Sequence, residues 1–180
     1  MIEPSMSRAA SSALNCGTLC QTMVIRDSGT ASSTASARSV GGSTVGLAMT
    51  ADPLGPDHPL GSQAGGQDPL MGQLPTDPAA FPAATDRFVR GHLLNYDLGG
   101  LGRDFNLYPI TSQANADHFN FIEGSVKSWV NDDKFWVRYK VKVLSAGQLV
   151  PLKGGLNAVE SVLEAEASIL NAKLSPVQTR

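Results

Sequence analysis

The residues with chemistry to offer lie in the second half of the chain: Asn115, Glu123 and the basic run Arg138, Lys140 and Lys142. With Asn115 as the zero of a helical wheel at about 100° per residue, Phe119, Ile122, Val126, Trp129 and Val130 all fall within about 60° of it. Asn115 is therefore expected on the core face at the first turn of a helix, with Glu123 near the edge of that arc two turns on. A buried amide without a partner costs about 1–3 kcal/mol. Its partner is either a backbone group of the preceding hairpin or a hydrated divalent cation, for which oxygen ligands suit Mg²⁺. Arg138, Lys140 and Lys142 share one face of an alternating segment, which is either a phosphate contact that reads no sequence or a solvated strand face. Cys16 and Cys20, four apart with no histidine nearby, make a poor metal site and no disulfide framework. His58, between Asp57 and Pro59, reads as a solvated loop residue.

The elements that must position these groups are legible from residue 86 onward. FVRGHLLNYDLGG begins with β-like apolar residues and ends on a Gly-Gly turn, and GRDFNLYPIT is a second short extended segment. Thr111 and Ser112 then stand as candidate N-caps of the helix just described, which Gly124 weakens without stopping. KFWVRYKVKVL alternates, Phe135, Val137, Tyr139, Val141 and Val143 against Trp136, Arg138, Lys140 and Lys142, as a strand with one buried face does. NAVESVLEAEASILNAKL fits either a helix or a strand, and the alternation of Leu163, Ala165, Ala167 and Ile169 favours the strand. The fold class expected is α+β with an antiparallel sheet.

Arg90-Gly91-His92, then Asn106-Leu107-Tyr108-Pro109, then Asn115 and Glu123 resemble the signature of the DNA/RNA non-specific endonucleases, the ββα-metal or His-Me finger nucleases. The closest branch is that of bacterial polymorphic toxins, including the EssD-like secreted nucleases. The resemblance covers residues 88–130, with Asn106 14 residues after His92, Asn115 9 further on and Glu123 8 beyond that. It implies His92 as the general base toward water, Asn115 as the single protein ligand of Mg²⁺ (or Mn²⁺ or another divalent cation), and Glu123 as the carboxylate that orients metal-bound water. It further implies that Arg90 grips phosphate oxygens, that Asn106 ties the loop between the second strand and the helix, and that His118 is a supporting residue. Two positions depart from the family pattern. Val89 stands where the motif usually carries Asp, for which Asp86 is no substitute, and Ile110 stands where many members have Gln.

Composition divides the chain. Of 30 charged residues 9 lie in residues 1–85, and of 11 aromatic residues only Phe81 does. Residues 28–46 read as a flexible Ser/Thr/Gly/Ala linker and residues 52–82 as a Pro-punctuated spacer, leaving residues 13–25 as the one stretch here suited to a short strand or docking segment. The expectation is a largely disordered leader over residues 1–82, serving in delivery, and a nuclease domain over 83–180. Net charge of −2 gives no global attraction to nucleic acid, and no apolar run is long enough to span a membrane. The N-terminus does not read as a secretory signal. A toxin or effector would then leave by a specialised secretion or injection apparatus, and its producer would need an immunity protein. The reading that follows is a metal-dependent endonuclease acting on DNA or RNA; the alternative is a catalytically inactive module that binds nucleic acid or protein on the same scaffold.

Overall fold

The computed structural model describes residues 21–26, 32–144 and 148–171, so the readings made for Cys16 and Cys20 lie outside the described residues. The chain is α+β, with an antiparallel sheet and few helices. Five strands make the main sheet: β1 (Gln21–Arg26), β2 (Ser32–Val40), β3 (Ser43–Leu54), β6 (Trp136–Leu144) and β9 (Val162–Asn171), in the order β1-β2-β3-β6-β9 and antiparallel throughout. Between β3 and β6 the chain makes a short helix α1 (Asp68–Met71), then the two-stranded pair β4 (Phe88–His92) and β5 (Leu107–Thr111), then a long helical run. That run begins as α2 (Ser112–His118) and includes α3 (Gly124–Lys127), with π turns over Phe119–Glu123 and Ser128–Asp132. A small hairpin of β7 (Leu149–Pro151) and β8 (Asn157–Val159) precedes β9. Among the described residues no helix is long and apolar enough to cross a membrane.

The expectation of a linker over residues 28–46 and a spacer over 52–82 is overturned for residues 32–82. The Gly-Gly pair at 41 and 42 is a hairpin turn: both residues have positive φ, 55° and 81°, as a two-residue primed turn demands, and Val40 pairs with Ser43 across it. The small residues on either side are packing residues. Ala35, Val45, Met49, Ala51 and Leu54 are all buried, on strands made largely of Ser and Ala with a few Thr and Val among them. Low aromatic and charge content does not mean low burial here, because small side chains bury little area each yet let the backbones above them come close.

The stretch after β3 is tied down as well. Gln67 is buried, and its Nε2 donates to Thr44 O at 2.9 Å and to Leu107 O at 3.0 Å, joining this segment to β3 and β5. Gly61 N donates to Tyr96 O, Ser62 N to Gly100 O and Gly65 N to Gly102 O. Residues 61–65 thus run as a clasp along the 96–102 loop.

The alternation read for 135–143 holds in its centre: Val137, Tyr139, Val141 and Val143 are buried on one face of β6. The extended reading of the last segment is also correct, since β9 pairs with β6 from Val162 to Asn171. The helix differs. Val126 and Val130 are fully buried as expected, but Phe119 is 43% exposed and Asn115 lies at the surface. A π turn carries more residues than an α turn, so the first turns rotate relative to the rest, and His118 and Glu123 take the inward positions instead.

Because β3 separates β2 from β6 and supplies core residues, a chain beginning at residue 83 is expected not to fold. Circular dichroism over a thermal ramp should give no cooperative transition for residues 83–180, against a cooperative one for the whole chain. A sharp transition from the truncated chain would contradict this.

Candidate functional site

The Arg-Gly-His run forms β4, pairing with β5 so that His92 faces Leu107, Gly91 faces Tyr108 and Arg90 faces Pro109. The helix starts at once after β5. Thr111 Oγ1 accepts from Ala114 N at 3.1 Å, the N-cap expected from the sequence, which fixes the entry of α2 against the strand pair.

His92 is the last residue of β4 and is half-buried. Its Nε2 lies 3.0 Å from Ser62 O. A carbonyl only accepts, so Nε2 carries the hydrogen and the lone pair of the neutral ring sits on Nδ1. Burial lowers the imidazole pKa below its ordinary value, and the Ser62 carbonyl raises it in part. The ring is therefore neutral and able to accept a proton near neutral pH. The carbonyl of the clasp supplies an orienting contact for His92 in a chain where Val89 takes the place of the expected Asp.

Arg90 is already engaged. Its Nε donates to Gly66 O at 2.6 Å and its other guanidinium nitrogen to Asp68 Oδ1 at 2.8 Å. Asp68 is largely exposed, so this ion pair is weak and open to exchange.

Asn115 comes up against β4 rather than into the core. A Cβ added at Gly91 would stand 2.3 Å from Ile110 Cδ1 and 3.3 Å from Asn115 Oδ1, so the missing side chain leaves room first for Ile110 and then for the helix carboxamide. Among the described residues the Asn115 side chain makes no hydrogen bond. Strand alternation sends Arg90 and His92 to one face of β4 and the open side of Gly91 to the other. The imidazole and the carboxamide are thus one residue apart along the strand, with its backbone between them.

Glu123, expected near the edge of the apolar arc, is buried, and it faces a polar chain through the core. Asn95 Nδ2 donates to Glu123 Oε2 at 3.2 Å, and the Asn95 Oδ1 accepts from Asp97 N at 2.9 Å. On the other side His118 Nδ1 is 3.9 Å from Glu123 Oε1, and His118 Nε2 is 2.9 Å from the Tyr139 hydroxyl. Burial pushes the Glu123 carboxyl up to about 7, partly offset by the Asn95 hydrogen bond and by Lys127, while burial takes His118 down to about 4. The two groups are close enough to count as an ion pair by distance, but both are neutral between those values, and 3.9 Å is too long for a hydrogen bond. Lys127 pairs with Asp97, which holds the same loop from the helix side.

Asn106 is fully buried and structural, as the resemblance implied, but it ties a different loop. Its Oδ1 accepts from Leu94 N at 2.8 Å, and its Nδ2 donates to Leu94 O and Leu101 O, both at 2.9 Å, closing the connection between β4 and β5. Arg138, Lys140 and Lys142 do share the open face of β6, where Arg138 pairs with Asp52 and Lys140 with Glu166. His58 has a partner, the Asn131 carboxamide oxygen at 3.0 Å. Three contributors were missed from sequence: Ser62, which acts through its backbone, and Asn95 and Tyr139, which only the fold brings to Glu123 and His118.

An α+β chain with a strand-ending histidine, a helix asparagine at the opposite face of that strand and a buried glutamate is what the structure defines. Comparison with family models, with curated proteins and with solved structures finds no match to the chain.

Two stability measurements follow. Glu123→Gln keeps an oxygen for Asn95 and abolishes the titration. With the folded carboxyl near 7 and its ordinary value at 4.5, folding carries no penalty below about pH 4.5 and a growing one as pH rises through 7. Denaturant titration should find the variant equal to wild type at pH 4 and more stable at pH 8 by on the order of 3 kcal/mol; a difference independent of pH would contradict it. Asn106→Ala, which strips three hydrogen bonds from a fully buried side chain, should cost on the order of 3 kcal/mol at every pH.

Proposed function

We propose that this chain is a metal-dependent endonuclease that hydrolyses DNA or RNA phosphodiester bonds without reading sequence, with β4, β5 and α2 as its ββα-metal core. The observation that carries the reading is the prepared imidazole: His92 gives its Nε2 hydrogen to Ser62 O and keeps a lone pair on Nδ1, one residue along β4 from Gly91, whose other face an unpartnered asparagine oxygen approaches.

The residues fit a cation held loosely. No group of three or more His, Cys, Asp or Glu gathers as a metal site among the described residues, while Asn115 Oδ1 is a hard oxygen donor without a protein partner. A divalent cation such as Mg²⁺, when bound, supplies positive charge to the scissile phosphate and the leaving oxygen. His92 Nδ1 takes the proton of the attacking water, and the Ser62 carbonyl stabilises the imidazolium that results. Arg90, on the same face of β4 as His92, exchanges Asp68 for phosphate oxygens through its planar fork. Glu123 acts through Asn95, holding the loop along which the 61–65 clasp runs, rather than by facing open solvent. Phosphate contacts of this kind read no bases. The toxin or effector setting, export by a specialised apparatus and an immunity partner rest on the resemblance of residues 88–130 alone.

A second reading has its own support. Arg90 closed on Asp68 and Gly66, and a carboxamide reaching β4 from the face opposite His92, favour a scaffold that binds nucleic acid or protein without turnover.

Plasmid and RNA cleavage by the whole chain with Mg²⁺, Mn²⁺ or EDTA separates the two. The nuclease reading expects cleavage with a divalent metal, none with EDTA, and a loss of about a thousandfold in His92→Ala. Intact substrate under every metal, with retention of nucleic acid in a gel shift, would put the binding module in its place.

A further inference from the structure

We propose that the outer edge of β9 and the groove beside it form a docking site for an extended peptide of another protein that alternates apolar with basic residues. β9 ends the main sheet, and among the described residues no strand pairs with its outer side. It is ten residues long, with no proline or lysine from Val162 to Asn171; its only charges are Glu164 and Glu166, which oppose an acidic strand and favour a basic one, and its register with β6 shifts only at its end, between Ile169 and Asn171. Along it runs a cavity of about 690 Å³ between the helical run and the strand, lined by Phe121, Ile122, Trp129, Leu163, Ala165 and Ala167 among others. Phe121 is 82% exposed there, an apolar side chain with nothing over it among the described residues.

Charge fixes the occupant's chemistry. The lining of the cavity includes Asp117 and Glu166 and no lysine or arginine, and Glu164 is exposed on the same strand face as Glu166. The inner edge of β9 already displays what pairs with it. β6 alternates valine and tyrosine with Arg138, Lys140 and Lys142, Lys140 stands opposite Glu166 with 2.7 Å between their charged groups, and Lys142 stands opposite Glu164. A strand of that pattern on the outer edge would send its apolar residues into the groove and its cations to the other side of the same two glutamates. Backbone pairing supplies affinity and the alternate side chains supply selectivity, as in other cases of strand addition. The site uses neither His92, Arg90 nor Glu123, so it stands whether or not the chain is a nuclease.

The test uses the whole chain and a labelled synthetic peptide with the sequence of residues 136–144, WVRYKVKVL, read by fluorescence anisotropy and by amide hydrogen exchange. Saturable binding is expected, with new protection at amides of residues 162–171. The charge-reversed peptide WVEYEVEVL should bind at least tenfold more weakly, and the protein variant carrying Glu164→Gln and Glu166→Gln, both exposed and giving up only the surface ion pair of Glu166 with Lys140, should lose about fivefold to tenfold. Equal affinity for both peptides, protection confined to other segments, or no binding would overturn the proposal. A dimer of the free chain, seen by sedimentation with the β9 amides already protected, would overturn it in favour of a second copy as the occupant.

Discussion

A half-buried imidazole is useful as a base only when one of its two nitrogens is committed elsewhere. In this chain the commitment comes from a backbone carbonyl, Ser62 O, and much of the surrounding structure serves to keep that carbonyl still. The clasp of residues 61–65 is hydrogen-bonded to the 96–102 loop, which in turn is held from below by Asn95 on Glu123 and by Lys127 on Asp97, and closed against β5 by Asn106. Gln67 fixes the far end of the clasp to β3 and β5. A strand-end histidine thereby becomes part of a network that reaches the centre of the sheet.

The network has a cost at its core end. Glu123 Oε1 is buried without a hydrogen-bond partner, and His118 stands 3.9 Å away, neutral, between it and Tyr139. A buried acceptor left unmade is expensive, and the π turn that brings both side chains inward is itself a departure from a straight helix. The Glu123 penalty grows as pH rises from about 4.5 through 7 and the His118 penalty grows as pH falls from about 6.5 through 4, so the two oppose one another across that window. Asn115 benefits from the same rotation: it moves off the core face to the surface beside Gly91, where an oxygen donor is accessible.

Much of the second half of the fold was legible because its signals are local. The alternation along β6, the Thr111 cap and the extended character of β9 depend on periods of two residues or on one hydroxyl, and each survives in the structure. The first half was illegible for a physical reason. Ser, Ala and Gly give no periodic apolar signal, and their burial in β2 and β3 is decided by what packs over them. The same holds within the site. His92, Asn115 and Glu123 stand out as side chains, whereas the Ser62 carbonyl has no side-chain signature, and the π turn that buries His118 and Glu123 leaves no mark in a helical wheel built on 3.6 residues per turn.

The account depends most on the state of the His92 ring, and a long-range proton–nitrogen correlation spectrum reads it directly. Recorded at pH 8 on the whole chain, it should find His92 neutral, with its hydrogen on Nε2 and an unprotonated Nδ1. A ring with its hydrogen on Nδ1, or one averaging between the two tautomers, would contradict the claim that the Ser62 carbonyl prepares this histidine as a base.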